Sequence, residues 1–243
     1  MRSFPSLPKT LAVAALATAA SACGDAVTDP SAFTESAEAE AVLRSAASLP
    51  ALPALIDRAG DPPDQSGRLN LFRAQELWAA GVADQDDRAR ARRRLAVRYA
   101  APVLIDQLAP EDWDATEQGL RAWIATAESM LRHITLPRVE GRLRLARVQL
   151  DRAAAAPDAG ARARALLLAG AELVETTPRF VARAMAVEAD AAVRRAVGTT
   201  DRADRDLQRA VRLKDWAARA VEEGDYLVAM QRAYYALQLV EAR

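Results

Sequence analysis

From Glu35 onward apolar positions recur at steps of three and four, the interval that puts side chains on one face of an α-helix. Leu120, Trp123, Ile124, Ala127, Leu131 and Ile134 form one such stripe, with Arg121, Ser129 and Arg132 off it. Val139, Leu143, Ala146, Leu150 and Ala153 form the next behind Pro137, and Arg138, Arg142, Arg144 and Arg147 are expected on its solvent side. The stretches are punctuated at Leu49-Pro50, Gly60-Asp61-Pro62-Pro63, Pro110, Pro137, Pro157-Asp158-Ala159-Gly160, Thr177-Pro178, Gly198-Thr199-Thr200-Asp201 and Gly224-Asp225. Such breakers predict about eight to ten helices joined by short loops. No stretch alternates as a strand does. Pro102 falls inside the segment 88–108 and is expected to kink it or split it at Ala101, because it lacks a backbone donor and clashes with the preceding turn.

Composition strengthens the helical reading. Alanine, the best helix former, occurs 58 times in 243 residues against 10 Gly and 12 Pro. Many alanines also let helix axes approach closely.

The first 22 residues read as an export signal rather than structure. Arg2 and Lys9 form a positive start, residues 11–20 are apolar and uncharged, and Ala20-Ser21-Ala22 is a small-residue cleavage pattern. The apolar run is about half the ~20 residues of a spanning helix. Cys23, the single cysteine, follows at once. Ala20-Ser21-Ala22-Cys23 resembles the lipobox of bacterial lipoproteins, with Ala20 where that family usually has Leu. The resemblance implies acylation of Cys23, and Gly24 after it implies the outer membrane, facing the periplasm. Ordinary cleavage after Ala22, leaving a free thiol, is the alternative. Residues 23–36 are expected to be a polar tether and 37–243 an all-helical domain. Removal of the signal takes away Arg2 and Lys9 and no carboxylate, leaving 31 basic against 33 acidic residues. That balance lacks the basic excess of a nucleic-acid binder.

The last 40 residues carry a second resemblance. The helix over 204–222 has Leu207, Val211, Ala218 and Val221 on one side and Leu213, Trp216, Ala217 and Ala220 on another, so it is expected to be sandwiched. Gly224-Asp225 makes a turn, and Tyr226, Ala229, Met230, Ala233, Ala236, Leu237 and Val240 follow at helical spacing. Trp216-Ala217, Ala220, Gly224-Asp225-Tyr226, Ala229 and Ala236-Leu237 resemble a tetratricopeptide repeat, with Ala233 where that family usually has an aromatic. A fainter copy runs from Leu166 through Gly170 and Leu173 to Ala182, Ala186 and Ala189, and the pair covers about a third of the chain, off the regular 34-residue period. The resemblance implies an all-α array of antiparallel helical hairpins, an irregular tetratricopeptide-like solenoid or bundle. It also implies a groove for a protein or peptide partner, assigned to Val211, Lys214, Ala218 and Val221.

Catalytic and metal machinery is hard to find. His133, the only histidine, lies thirteen residues from Leu120, about 220° round the helix and off the apolar face. Without a further His or Cys to join it a metal site could only be all-oxygen, and a Ser–His–Asp arrangement would have to recruit His133 itself. The clusters Asp84/Asp86/Asp87, Glu111/Asp112/Asp114 and Asp201/Asp204/Asp206 stand where helices begin, as capping and the helix dipole favour, and lack the spaced ligands and central Gly of calcium loops. Arg88, Arg90, Arg92, Arg93 and Arg94 form the strongest basic run. It reads as a solvated helix face partly neutralised by the preceding aspartates, with contact to lipid phosphates or an acidic partner as the functional alternative. Phosphate-cradling Gly loops and nucleophile elbows are missing. The sequence therefore predicts no enzyme, cofactor or metal, but a lipid-anchored binding or scaffold protein of the bacterial cell envelope. The alternative is an envelope carrier of a small apolar or glycan ligand. A carrier should gather Trp78, Trp113, Trp123 or Trp216 round one pocket, whereas a scaffold should bury them as core.

Overall fold

Proline opens several of the helices at the positions where its missing N–H costs nothing. The computed structural model describes residues 49, 51–83, 87–131, 135–198 and 205–241. Among them lie nine α-helices and no strand. They are α1 (Leu52–Ala59), α2 (Gln65–Ala83), α3 (Asp87–Gln107), α4 (Pro110–Leu131), α5 (Pro137–Ala154), α6 (Ala159–Leu173), α7 (Pro178–Val197), α8 (Arg205–Glu223) and α9 (Tyr226–Glu241). A 3₁₀ turn, Val174–Thr176, links α6 to α7. Asp158 caps α6 by accepting from Ala161 N at 2.7 Å, and Asp112 in the first turn of α4 accepts from Ala109 N at 3.1 Å. The acidic residues at those two starts thus hold otherwise unpaired backbone donors. Asp84, Asp86, Asp201 and Asp204 lie outside the described residues.

The expected apolar stripes face inward. Leu120, Trp123, Ile124 and Ala127 are buried, as are Val139, Leu143, Ala146, Leu150 and Ala153. Two expectations need correction. Of the kink or split expected at Pro102 the split does not occur, and α3 runs unbroken from Asp87 to Gln107. Pro102 and Arg98 are both exposed, so the hydrogen bond Pro102 cannot donate is lost on the wet side, while buried Val97, Ala100, Ala101 and Leu104 hold the core side. Nor is α8 sandwiched. It packs on α7 and α9 through Leu207, Ala210, Ala217 and Ala220, but Trp216 stays 44% exposed.

The helices form intimate antiparallel neighbours α2 with α3, α5 with α6, and α8 with α9, while α7 packs against α9. The fainter repeat over α6 and α7 is not a hairpin, because α6 instead lies against α5 and α3. The 3₁₀ turn and Pro178 carry the chain away before α7 can fold back. One apolar cluster runs from Leu49 to Phe180. A second joins Leu136 and Val139 of the α5 entry to α7, α8 and α9. Ala182, Ala189, Ala217, Ala229, Ala233 and Ala236 line that second cluster almost without exposure, which brings the helix axes close.

The α8–α9 turn forms as the sequence requires. Gly224 has φ +81°, Asp225 N donates to Ala220 O at 2.9 Å and Gly224 N to Val221 O at 3.2 Å, the two bonds of a Schellman close. Asp225 then caps α9 by accepting from Val228 N at 3.3 Å.

Candidate functional site

The C-terminal end of a helix carries partial negative charge and unpaired carbonyls, so carboxylates there are unfavourable unless cations join them. Glu172 and Glu175 stand at that end of α6, in an otherwise apolar run, and both are buried. Four guanidinium groups converge on them. Arg93 of α3 is fully buried; it donates to Gly81 O in the last turn of α2 at 2.6 Å, to Ala171 O of α6 at 3.1 Å, and to the Glu175 carboxylate. Arg90, also on α3, grips Glu172 through Nε and Nη2 at 2.7–3.0 Å. From α5, Arg142 reaches Glu175 at 3.0 Å and Glu172 at 3.4 Å, and Arg138 reaches Glu175 at 3.1 Å. Burial alone pushes the Glu175 carboxyl up, but hydrogen bonds from Arg142 and Arg93 hold it below its ordinary value.

This network corrects two sequence readings. The run 88–94 is not wholly a solvated face, since Arg93 is buried and Arg90 is committed to Glu172; five arginines in seven residues are too many for one side of a helix, and the 3.6-residue turn carries some inward. Arg142, expected on the solvent side of α5, is mostly covered. Glu172 and Glu175 are the residues the sequence reading missed. Their signal was available as two carboxylates three apart inside Leu166–Thr176, an apolar stretch that offers no other charge.

Beside the network a cleft of about 240 Å³ opens between the start of α5 and α7, lined by Leu136, Val139, Phe180 and Val187 with Arg138 and Arg183 among them. None of the four tryptophans lines it. Trp78, Trp113 and Trp123 are in the first apolar cluster, where Trp123 Nε1 donates to Thr176 Oγ1 at 2.8 Å. Trp216 lies on the surface of the α8–α9 hairpin under the Arg232 guanidinium, 5.7 Å from its ring centre.

The residues assigned to a partner groove share one side of α8. Ala218 is exposed, while Val211 and Val221 are half-buried. Lys214 bonds Asp215 at 2.6 Å and bridges to Asp190 of α7 at 3.2 Å, so it clamps α8 to α7. The Asp215 hydrogen bond first, and then Asp190, raise its pKa. Cys23 and His133 lie outside the described residues. Among those described, no three His, Cys, Asp or Glu side chains gather as a metal site, and no helix is long and apolar enough to cross a membrane. No protein-family model, curated protein or solved structure matches the chain.

Proposed function

We propose that this is an exported scaffold of the bacterial cell envelope, anchored by acyl chains on Cys23 and engaging a protein or peptide partner through its helical hairpins rather than catalysing a reaction. The observation that carries the reading is the placement of the tryptophans. Three are spent on core packing and the fourth stands on the outer surface of the last hairpin. A carrier would present them to a cavity. Buried charge also favours a structural role, because the Arg–Glu network ties three helices together and leaves neither carboxylate free to act as an acid or base.

Metabolic labelling with a fatty-acid analogue tests the anchor. Wild type should incorporate label and fractionate with membranes, whereas Cys23→Ser should do neither, since one or more acyl chains supply the affinity. Equal labelling of both chains overturns the anchor. A photo-crosslinking residue at Ala218 tests the partner face: it should trap one protein that the same residue at Arg144 does not, and identical patterns overturn the groove on α8.

A further inference from the structure

Soluble helices turn arginines and large apolar side chains to opposite sides; a surface that mixes them is suited to a lipid interface, where apolar groups enter the acyl boundary and guanidinium groups meet phosphates. The outer surface of the α2–α3 hairpin is mixed in this way. Of the six large hydrophobic residues left exposed among the described residues, three are here: Leu69 and Phe72 on α2, at 46% and 55% exposure, and Leu95 on α3. Leu69 and Phe72 stand opposite the buried stripe Leu71, Ala74 and Trp78. Leu95 and Tyr99 border a shallow groove with Arg73 and Leu77 across from them. Of the eight arginines on the two helices Arg93 is buried and Arg90 is paired with Glu172, which leaves six against Glu76, Asp87 and Asp106, with Asp84 and Asp86 between the helices in sequence. Arg68, Arg73, Arg88, Arg94 and Arg98 are exposed and form no ion pair among the described residues.

We infer that the outer face of the α2–α3 hairpin is a second membrane contact, which lays the domain on a bilayer surface containing anionic phospholipid. Phe72, Leu69 and Leu95 enter the headgroup boundary, and Arg73, Arg94 and Arg98 take phosphate oxygens. The inference rests on the envelope reading above for delivery to a membrane, but the surface itself does not depend on the acyl chain.

Co-sedimentation of the full chain carrying Cys23→Ser with vesicles separates the two. Vesicles of phosphatidylethanolamine and phosphatidylglycerol at 7:3 are compared with neutral phosphatidylcholine vesicles, in low and high salt. Binding to the anionic vesicles should exceed binding to the neutral ones by more than tenfold and weaken with salt. Arg94→Gln and Arg98→Gln should each lower it about fivefold, the factor for one guanidinium at an anionic surface. Phe72→Ser should lower it in salt as well, and Arg144→Gln on α5 should leave it unchanged. All are surface positions, and an unaltered far-ultraviolet dichroism spectrum identifies the folded variants. Equal binding to both vesicles, or indifference to Phe72→Ser and Arg98→Gln, overturns the inference, as does a crosslinker at position 72 that traps protein and no lipid. Labelling of Cys23 is independent of every arm, so loss of the anchor and loss of this face are distinguishable.

Discussion

Arg93 shows how one side chain can be indispensable through its surroundings. It closes the C-terminal ends of α2 and α6 at once and meets a buried carboxylate. Its position requires Gly81, where a Cβ would stand 2.8 Å from the backbone oxygen of Ala89 and 2.7 Å from Arg93 Cγ. Rotation of a side chain cannot relieve a backbone contact, so Gly81→Ala should lower stability by about 1–3 kcal/mol in denaturant titration. The carboxylates and guanidiniums are not equivalent. Removing Glu175 leaves Arg93 buried without its charge partner and four guanidiniums with one carboxylate, whereas removing Arg93 leaves Glu175 still bonded to Arg138 and Arg142. Glu175→Gln should therefore cost about 3–5 kcal/mol, and more than Arg93→Met. The pH dependence has the same origin. The folded chain holds Glu175 below its ordinary value of 4.5, so the unfolded chain takes up the proton first. Its contribution is complete above that value and is lost as pH falls through the lowered one. A stability profile of Glu175→Gln should be flatter on the acid side than that of wild type, and parallel profiles would remove Glu175 from the account.

Helices and turns were the legible part of this sequence, because breakers and a three-to-four period act within one element. The Gly224 turn is the clearest case: a backbone that needs positive φ selects glycine, whatever packs around it. Gly224→Ala should cost about 1 kcal/mol in thermal denaturation through that penalty alone. Ala229 and Ala236 are fully covered in the closely packed second cluster, so Ala229→Leu and Ala236→Leu should each cost about 1–3 kcal/mol. Exposed Gln238→Leu is the fitting comparison and should stay within about 0.5 kcal/mol. Arg232 is unsuitable for that purpose, since it donates to Trp216 O at 3.2 Å and covers the indole. The failures at this scale involved neighbours. Whether Pro102 breaks a helix depends on which side of α3 is wet, and whether α6 pairs with α7 depends on what else offers α6 a face. Neither is written in the local pattern.

At the scale of the molecule the two apolar clusters meet where α5 passes from one to the other, with Leu136 and Val139 in the second and Leu143, Ala146 and Leu150 in the first. The buried 3₁₀ turn crosses the same boundary, and Glu175 within it is held from α3 and from α5. The Arg–Glu network thus fastens the two junction segments, the start of α5 and the 3₁₀ turn, to α3. Its partners are 30 to 82 residues apart in sequence, which is why a charge run read along one helix could not reveal it. Native-state hydrogen exchange checks the consequence. In wild type the slowest amides of α2–α3 and of α8–α9 should exchange with one common opening free energy, as expected of a single cooperative unit. In Glu175→Gln the α8–α9 amides should open at lower free energy than those of α2–α3, because the fastening is weakened while each apolar cluster remains. If the variant loses protection equally in both halves, the network stabilises the fold without coupling its parts. The 3₁₀ turn, Leu131 and the apolar passage of α5 would then be the junction, and substitution of Val139 to Ala would be the change that separates the two openings.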